Sequence, residues 1–494
     1  MKLAEFSVRN SLLVNSISVF LVVSGLLALF RIEREAFPNF SFDIIIVSTP
    51  YKGAPPEVIE KRITIPLEKE LKEVDDIKKL YSVSVEGLSE IILEIEPDAP
   101  DKTKVYNDIQ KAVDAADDLP VDLDADPKVL ELKTRDTPLV SVSLSGDLPE
   151  TTLREIARNL ETEMLDLSGV STVYRDGMRD REIWVELNPQ KMASHHIALS
   201  QVMQVLANRN INIAGGLYKG EEGELILRTS GELETAEEIR HVILRVNEEG
   251  YGVTVNDVAN VKESFEEERI IQKTDGERSI NLMIIKKDKA DAIRLKEELT
   301  TLVENFKERN NPELEISFID DISYYIKRRL NVLVSNGWIG LIFVMIPMVL
   351  FLSGRIAIGA LAGMAVALLS AIAAMNFFGI SINLISMFGL IMVIGMLVDE
   401  DLVVADNISR YLEEGKSHID AAILGTSEVM SGILSTVLTT IIAFVPLLFM
   451  SGIFGKFISD IPKVVIITLL ASLVEAFIIL PSHISDLSRP TKRA

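Results

Sequence analysis

The sequence predicts a membrane α-helical bundle of six transmembrane helices carrying a large extracytoplasmic α+β region of ferredoxin-like subdomains. Three observations lead there. Hydrophobic residues make up 48% of the chain and mean hydropathy is +0.26, high for a soluble protein. Charged residues nonetheless make up 25%, with a formal net charge of -23, which is high for membrane spans alone. The two properties must therefore occupy different segments, and six apolar runs, each near the ~20 residues that cross a bilayer, do separate from a long polar stretch.

The apolar runs cover residues 12–30, 331–352, 356–378, 384–398 (resuming at 402–404), 429–450 and 464–480. The first reads as a retained span. It is longer than a signal core, and Arg31-Ile32-Glu33-Arg34 follows where a cleavage site would need small residues. Lys2, Arg9, Arg355, Arg410, Lys416, Arg489, Lys492 and Arg493 all fall on one side of a six-span path. The positive-inside rule then makes both termini cytoplasmic and residues 32–330 extracytoplasmic. Lys456 and Lys463 fall on the outer side, against the trend.

Most of the acidic excess lies in that outer segment, which argues against nucleic acid and against anionic lipid as partners. Its first subdomain, 32–132, reads as a strand at 43–49, a helix over 57–80 opened by Pro55-Pro56, and a hairpin of 81–85 and 91–95 around Glu86-Gly87. A second subdomain repeats the pattern in two parts. Residues 133–186 give a strand at 139–144, a helix at 150–167 and a hairpin of 170–174 with 182–186. Residues 263–328 resume with a strand at 279–286, a helix at 291–306 and a strand at 315–318. Strand–helix–strand units of this kind suggest ferredoxin-like folds. The insert between them, 187–262, holds a helix at 200–208 and a hairpin of 211–214 with 224–229 around the glycine-rich 215–220, either a docking arm or an ordinary surface hairpin. Residues 1–31 and 329–494 form the membrane part.

Catalytic motifs are absent. With no cysteine there are no disulfides or thiolate metal sites. No G-x-x-x-x-G-K-[ST] loop is present, and residues 452–457 have the wrong spacing for one. His195-His196 lack the i,i+4 spacing that lets two imidazoles share a metal. No Ser/His/Asp arrangement stands out, so the chain reads as no enzyme, without cofactor or metal.

The informative stretch is Asp399-Glu400-Asp401 followed by Asp406, set in the fourth apolar run. A carboxylate at the bilayer centre costs roughly 2.5–3.5 kcal/mol on insertion scales, so it is kept where it is protonated, paired or facing water. Burial favours the neutral form of a carboxylic acid, the property a proton carrier uses. A helix begun at residue 377 would have crossed by Val398 and put the acids among headgroups. The apolar 402–405 and the later Arg410 and Lys416 favour burial instead. At ~100° per residue Asp399 and Asp406 nearly align while Asp401 points away, so at most two of the three consecutive acids face one interior. Glu475 in the sixth run is a further candidate, unless it snorkels or bonds to a neighbouring helix.

Architecture and motif together resemble the resistance–nodulation–division (RND) efflux transporters, along essentially the whole chain. Residues 398–407, Val-Asp-Glu-Asp-Leu-Val-Val-Ala-Asp-Asn, look like that family's fourth-helix motif V-D-D-A-I-V-V-x-E-N, and residues 381–389 like the stretch before it. Phe37-Pro38 and residues 51–54 look like the start of the first porter subdomain. The resemblance implies an inner-membrane, multi-pass protein with a large periplasmic domain, and a proton-translocating pair at Asp399 and Glu400. It also implies a periplasmic adaptor and an outer-membrane channel as partners, and a hydrophobic small molecule or lipid as substrate.

Departures from the pattern shape the expectation. Glu400 replaces an aspartate and Asp401 a small residue. Family members have twelve spans in two repeats, and the lysine that pairs with the acids comes from the second, whereas no Lys or Arg lies inside the fourth or sixth run here. The chain is thus expected to be the N-terminal half of a proton-motive-force-driven exporter, truncated or naturally half-size, that needs a second half or further copies of itself. The alternatives are a non-transporting assembly or scaffold subunit, and an RND-related lipid or lipoprotein transporter.

Overall fold

The computed structural model describes residues 2–220, 223–246, 252–268, 270–310, 314–351 and 353–488, with the backbone alone for the hairpin strands 212–220 and 223–230 and for residues 2, 341, 344, 347, 351 and 398. Arg489, Lys492 and Arg493, used above for orientation, lie outside the described residues. The chain forms two compact units. One comprises Met1–Leu144, Glu155–Tyr174 and Leu282–Ala494, the other Ser145–Arg154 and Arg175–Asn281.

Long helices dominate the first unit: α1 (Ser11–Arg31), α2 (Ile322–Phe351), α3 (Gly354–Phe377), α4 (Leu384–Glu413), α5 (His418–Leu448) and α6 (Asp460–Val474). A π-helical turn, Glu475–Ile479, and a helix, Leu480–Leu487, continue α6. Runs of Leu, Ile, Val and Ala make helices here because, away from water, a helix satisfies every backbone donor within one segment. Among the described residues four helical stretches are long and apolar enough to cross a membrane: α1, α3, α5 and the compound Gly452–Leu487. Small residues set how closely they pack. A Cβ on Gly25 of α1 would stand 2.5 Å from the Leu369 carbonyl oxygen of α3, so α1 can lie there only with glycine. The shared core joins Val393, Leu397, Val404 and Ile408 of α4 to Ala421 and Val437 of α5 and Val465 and Leu469 of α6.

The same unit carries an antiparallel sheet of order β2-β3-β1-β4, from β1 (Ser41–Pro50), β2 (Ile77–Val85), β3 (Leu88–Ile95) and β4 (Lys128–Lys133). Val47 pairs with Ile91 on one side and Val129 on the other. Alternation along β1 and β3 buries Ile45, Val47, Ile91 and Leu93 against Ile63, Leu67 and Leu71 and against Val105, Ile109 and Val113 of the helix Lys102–Asp114. The helix expected over 57–80 is shorter. It runs from Pro56 to Leu71, with a π turn at Glu60–Thr64, and β2 begins at Ile77. Asp76, at φ 63, turns the chain, and Ile77 and Leu80 join the sheet's core.

A second sheet orders β13 (Lys273–Thr274), β14 (Glu277–Lys286), β5 (Val140–Ser145) and β15 (Glu315–Ile319), with β6 (Val170–Asp176) also on β14. The expected hairpin of 170–174 with 182–186 does not form: β6 pairs with β14, while β7 (Arg181–Leu187) pairs with β12 (Ala259–Phe265). Their apolar faces belong to different cores. Val170 and Val173 are buried on β6, whereas Ile183, Val185 and Leu187 pack with Val255, Val258 and Val261.

In the second unit, β7 and β12 run antiparallel from Leu187–Ala259 to Arg181–Phe265. β8 (Asn212–Gly220) and β9 (Gly223–Ser230) form a hairpin with a register shift between Ala214 and Gly216. The glycine-rich 215–220 expected as its loop is therefore part of a strand. β10 (Ile243–Val246) pairs with β11 (Gly252–Thr254). Glu150 accepts from Arg179 Nε at 2.8 Å and Nη2 at 2.5 Å and from Arg278 Nη1 at 2.6 Å. These guanidinium bonds hold its carboxyl below the usual range despite partial burial.

Candidate functional site

The site is built on α4, and its position follows from how that helix starts. Asn383 caps it: its Oδ1 accepts from the backbone N of Ile385 at 2.9 Å and of Ser386 at 2.8 Å, and Ser386 Oγ accepts in return from the Asn383 N at 2.8 Å. This reciprocal box satisfies the donors a helix start leaves open. Asn383 Nδ2 also donates to Ser381 Oγ at 3.0 Å and to Asp460 Oδ2, at the start of α6, at 3.0 Å. Ser381 Oγ donates in turn to Glu35 Oε1 at 2.5 Å, and Lys463 Nζ to Asp460 Oδ1 at 3.0 Å. Burial pushes the Glu35 carboxyl above its usual range, opposed by the Ser381 bond and by Lys286. The ends of α4 and α6 that carry this network are thus fixed together.

The other end of α4 is tied to α5. Asn407 Nδ2 donates to the Gly425 carbonyl at 2.8 Å and to Glu428 at 3.0 Å, and Arg410 bonds to both Asn407 and Glu428. With α4 running from Leu384 to Glu413, the three acids stand about midway along it. At ~1.5 Å per residue they are roughly 24 Å from its start.

The structure divides the acids. Asp399 and Asp406 are exposed, while Glu400 is 8% and Asp401 1% exposed. The two that turn into the bundle are therefore Glu400 and Asp401, not the aspartate–glutamate pair that the motif singles out. Burial of consecutive residues is possible because α2, α3, α5 and α6 all pack on α4. Glu400 Oε2 accepts a short hydrogen bond from Ser472 Oγ of α6, itself fully buried.

Asp401 meets Glu475, at the first position of the π turn and likewise 1% exposed, so Glu475 does not snorkel. The helix Lys2–Arg9 packs against this turn, and buried Ser7 donates to the Ile478 carbonyl within it. Sequence reasoning named Glu475 and counted Asp401 with Asp399, Glu400 and Asp406 as proton-coupling candidates but gave Asp401 no partner, because residues 74 positions apart meet only once α4 and α6 pack.

Lys456 and Lys463, the bases on the unexpected side, are both engaged. Lys456 Nζ donates to Asp43 Oδ1 at 2.6 Å and to the Ser41 carbonyl at 2.9 Å, and Lys463 binds Asp460. Asp43 also holds Lys102 at 2.7 Å and is 6% exposed, clamping β1 to the segment before α6.

The comparisons agree with this architecture. The chain matches the AcrB/AcrD/AcrF family over residues 3–494. It is 28% identical over 464 residues to "Multidrug resistance protein MdtC" of Erwinia amylovora, covering 93% of this chain and 45% of that protein. The Escherichia coli K12 protein of the same name is 28% identical over 469 residues, covering 94% of this chain and 46% of the relative. That of Pantoea ananatis is 26% identical over 494 residues, covering 99% and 48%. The chain spans about half the length of the curated relatives it matches. On this match and the mixed architecture of apolar helices with α/β units, the chain belongs to the AcrB/AcrD/AcrF family of RND membrane transporters.

Proposed function

We propose that this chain is the N-terminal half of a proton-motive-force-driven exporter of small amphiphilic compounds, completed by a second half or by another copy of itself. One observation carries the reading: a carboxylate, Glu400, buried midway along α4 and held by Ser472, with Asp399 beside it on the exposed side of the same turn. A carboxyl kept out of water pays for its charge unless a proton or a cation neutralises it, which ties its state to the proton supply. Asp399 then faces the position where a cation from the second half stands, and Asp406 lies on the same side two turns on. Helices α2 and α4, each 30 residues and so ~45 Å long, complete six spans with the four apolar stretches. Both termini are then cytoplasmic, and the two α/β sheets form ferredoxin-like porter subdomains in the periplasm, where an adaptor and an outer-membrane channel dock. The amphiphilic substrate class rests on the relatives' description as multidrug resistance proteins.

The test is export by the protein assembled with its complementary half in vesicles. Asp399→Asn and Glu400→Gln should each abolish substrate movement driven by a pH gradient, and Ser472→Ala should slow it. Undiminished gradient-driven export by the Asn and Gln variants sinks the proposal.

A second reading, lipid handling, is favoured by a cleft of about 710 Å³ lined by Ile32, Glu35, Phe378, Lys463, Ile466 and Ile467. Apolar walls beside two lysines, Lys289 and Lys463, suit an acyl chain with an anionic headgroup, with Glu33, Glu35, Asp288 and Asp460 also on the lining. Phospholipid retained stoichiometrically by the purified protein and lost in Lys463→Glu would favour it; detergent exchange that strips all lipid from the unaltered protein would exclude it.

A further inference from the structure

The function proposed above uses Asp399 and Glu400 and leaves the most enclosed acids of the chain without a task. Asp401 and Glu475 are each 1% exposed, and all four of their carboxyl oxygens lack a hydrogen-bond donor among the described residues. The carboxyls nonetheless lie within hydrogen-bonding reach of each other. Two ionised carboxylates in contact, away from water and without a donor, repel each other and leave every lone pair unsatisfied. A proton on either one turns the same contact into an O–H···O⁻ bond, among the strongest a side chain makes.

Three features of the surroundings fit a seat made for this pair. Gly363 of α3 sits against Glu475: a Cβ there would stand 1.9 Å from Oε1 and 2.7 Å from Cδ, so only glycine leaves room for the carboxyl. Glu475 opens a π turn, an irregularity common at functional positions in helices. Among the described residues no cation pairs with either carboxyl. The acid acting on the pair is Glu400, with Asp399 beyond. The packed helices bring their charges elsewhere: Arg355 on α3, Asp420 and Glu428 on α5, Asp460 and Lys463 on α6, His483 and Asp486 after the π turn, and Glu5 and Arg9 near the N-terminus. Among the described residues none of these pairs with Asp401 or Glu475. Two carboxyls, with no third metal-ligating side chain grouped with them among the described residues, also fall short of the six to eight oxygens, or the octahedron, that calcium or magnesium takes.

We propose that Asp401 and Glu475 form a second proton-binding site, a carboxyl pair that holds one proton between its oxygens on the face of α4 turned away from Asp399. Binding is a simple protonation: one carboxylate takes a proton from the aqueous path and donates it to its neighbour, and release reverses the step. The site deepens the proton-coupled reading and rests on it for its role in transport, but its occupancy is a separate matter.

Infrared spectra of the full chain in lipid bilayers, titrated with pH in H2O and in D2O, report carboxyl protonation without requiring transport. The unaltered protein should show a protonated-carboxyl C=O band at neutral pH that shifts in D2O. The double substitution Asp399→Asn with Glu400→Gln should keep it, and in that background Asp401→Asn and Glu475→Gln should each remove it. Should a substituted chain fail to fold, ¹³C-carboxyl labelling of aspartate or of glutamate in the unaltered protein makes the same assignment, since a shared proton moves the band with both labels. A neutral-pH spectrum without the band, a band that survives both single substitutions, or one that appears only when sodium is withdrawn overturns the proposal. Loss of pH-driven export in Asp399→Asn with this band intact would leave the pair standing; absence of the band from the unaltered protein with export intact would remove the pair alone.

Discussion

Replacing Gly363 by alanine tests the packing argument through one added methyl group. The new Cβ would stand 1.9 Å from Glu475 Oε1, against the 3.0 Å below which real Cβ contacts essentially do not occur. The carboxyl must therefore retreat by about 1 Å or more, and it has little space to do so because Glu475 and Asp401 are both 1% exposed. Overpacking of this kind costs about 1–3 kcal/mol. Removing the obstruction should remove the penalty: in a Glu475→Ala background the same Gly363→Ala change meets no carboxyl. A double-mutant cycle on thermal stability in detergent should thus give a coupling of ~1–3 kcal/mol, with the pair of substitutions milder than the sum of its parts. Additive effects would refute the placement of Glu475 against α3, and a harmless Gly363→Ala would refute its tight fit.

Other consequences reach beyond the bundle. Glu150 is an acid whose carboxyl is lowered in the folded state, from a reference of 4.5, by the Arg179 hydrogen bonds. Its stabilising contribution is therefore present above that reference value and fades as pH falls through the folded value. Glu150→Ala should destabilise the second unit at neutral pH by about 1–2 kcal/mol, with Arg278 partly exposed and so discounted. Hydrogen exchange at residues 175–180 should show the gap between the two proteins closing below roughly the acid's reference value; a gap constant with pH would contradict the ion-pair account. Asp43 adopts φ 57 while holding Lys102 and Lys456. Asn tolerates that backbone, so Asp43→Asn removes the charge alone, whereas Asp43→Ala adds roughly 1–2 kcal/mol of left-handed strain. Thermal midpoints should fall in the order unaltered, Asn, Ala, and equal losses would place the effect in charge alone.

What the sequence made legible was local. The β-branched run that forms β1 and the Glu86-Gly87 turn between β2 and β3 are each set by neighbouring residues. The failures came where partners are distant. Residues 72–80 continue a helical spacing, but Asp75-Asp76 and the pull of Ile77 and Leu80 into the sheet end the helix early. Valines on β6 and β7 look like one hairpin until they are assigned to separate cores. At the site, counting ~100° per residue limits how many acids share a face without saying which face is inside. Enclosure of α4 by its neighbours settled that in favour of Glu400 and Asp401. The π turn at Glu475 breaks the regular count along α6, and an unremarkable glycine at 363 was the sole sign of a seat on α3.

The central claim is that carboxyls of α4 tie transport to proton movement, and proton flux tests it most directly. The protein assembled with its complementary half is sealed into liposomes holding a pH-sensitive dye and a pH gradient, without nucleotide. Added amphiphilic substrate should accelerate decay of the gradient, and Glu400→Gln should return the decay to that of empty liposomes. Substrate movement that leaves the gradient untouched, or that proceeds equally in Glu400→Gln, would contradict the account.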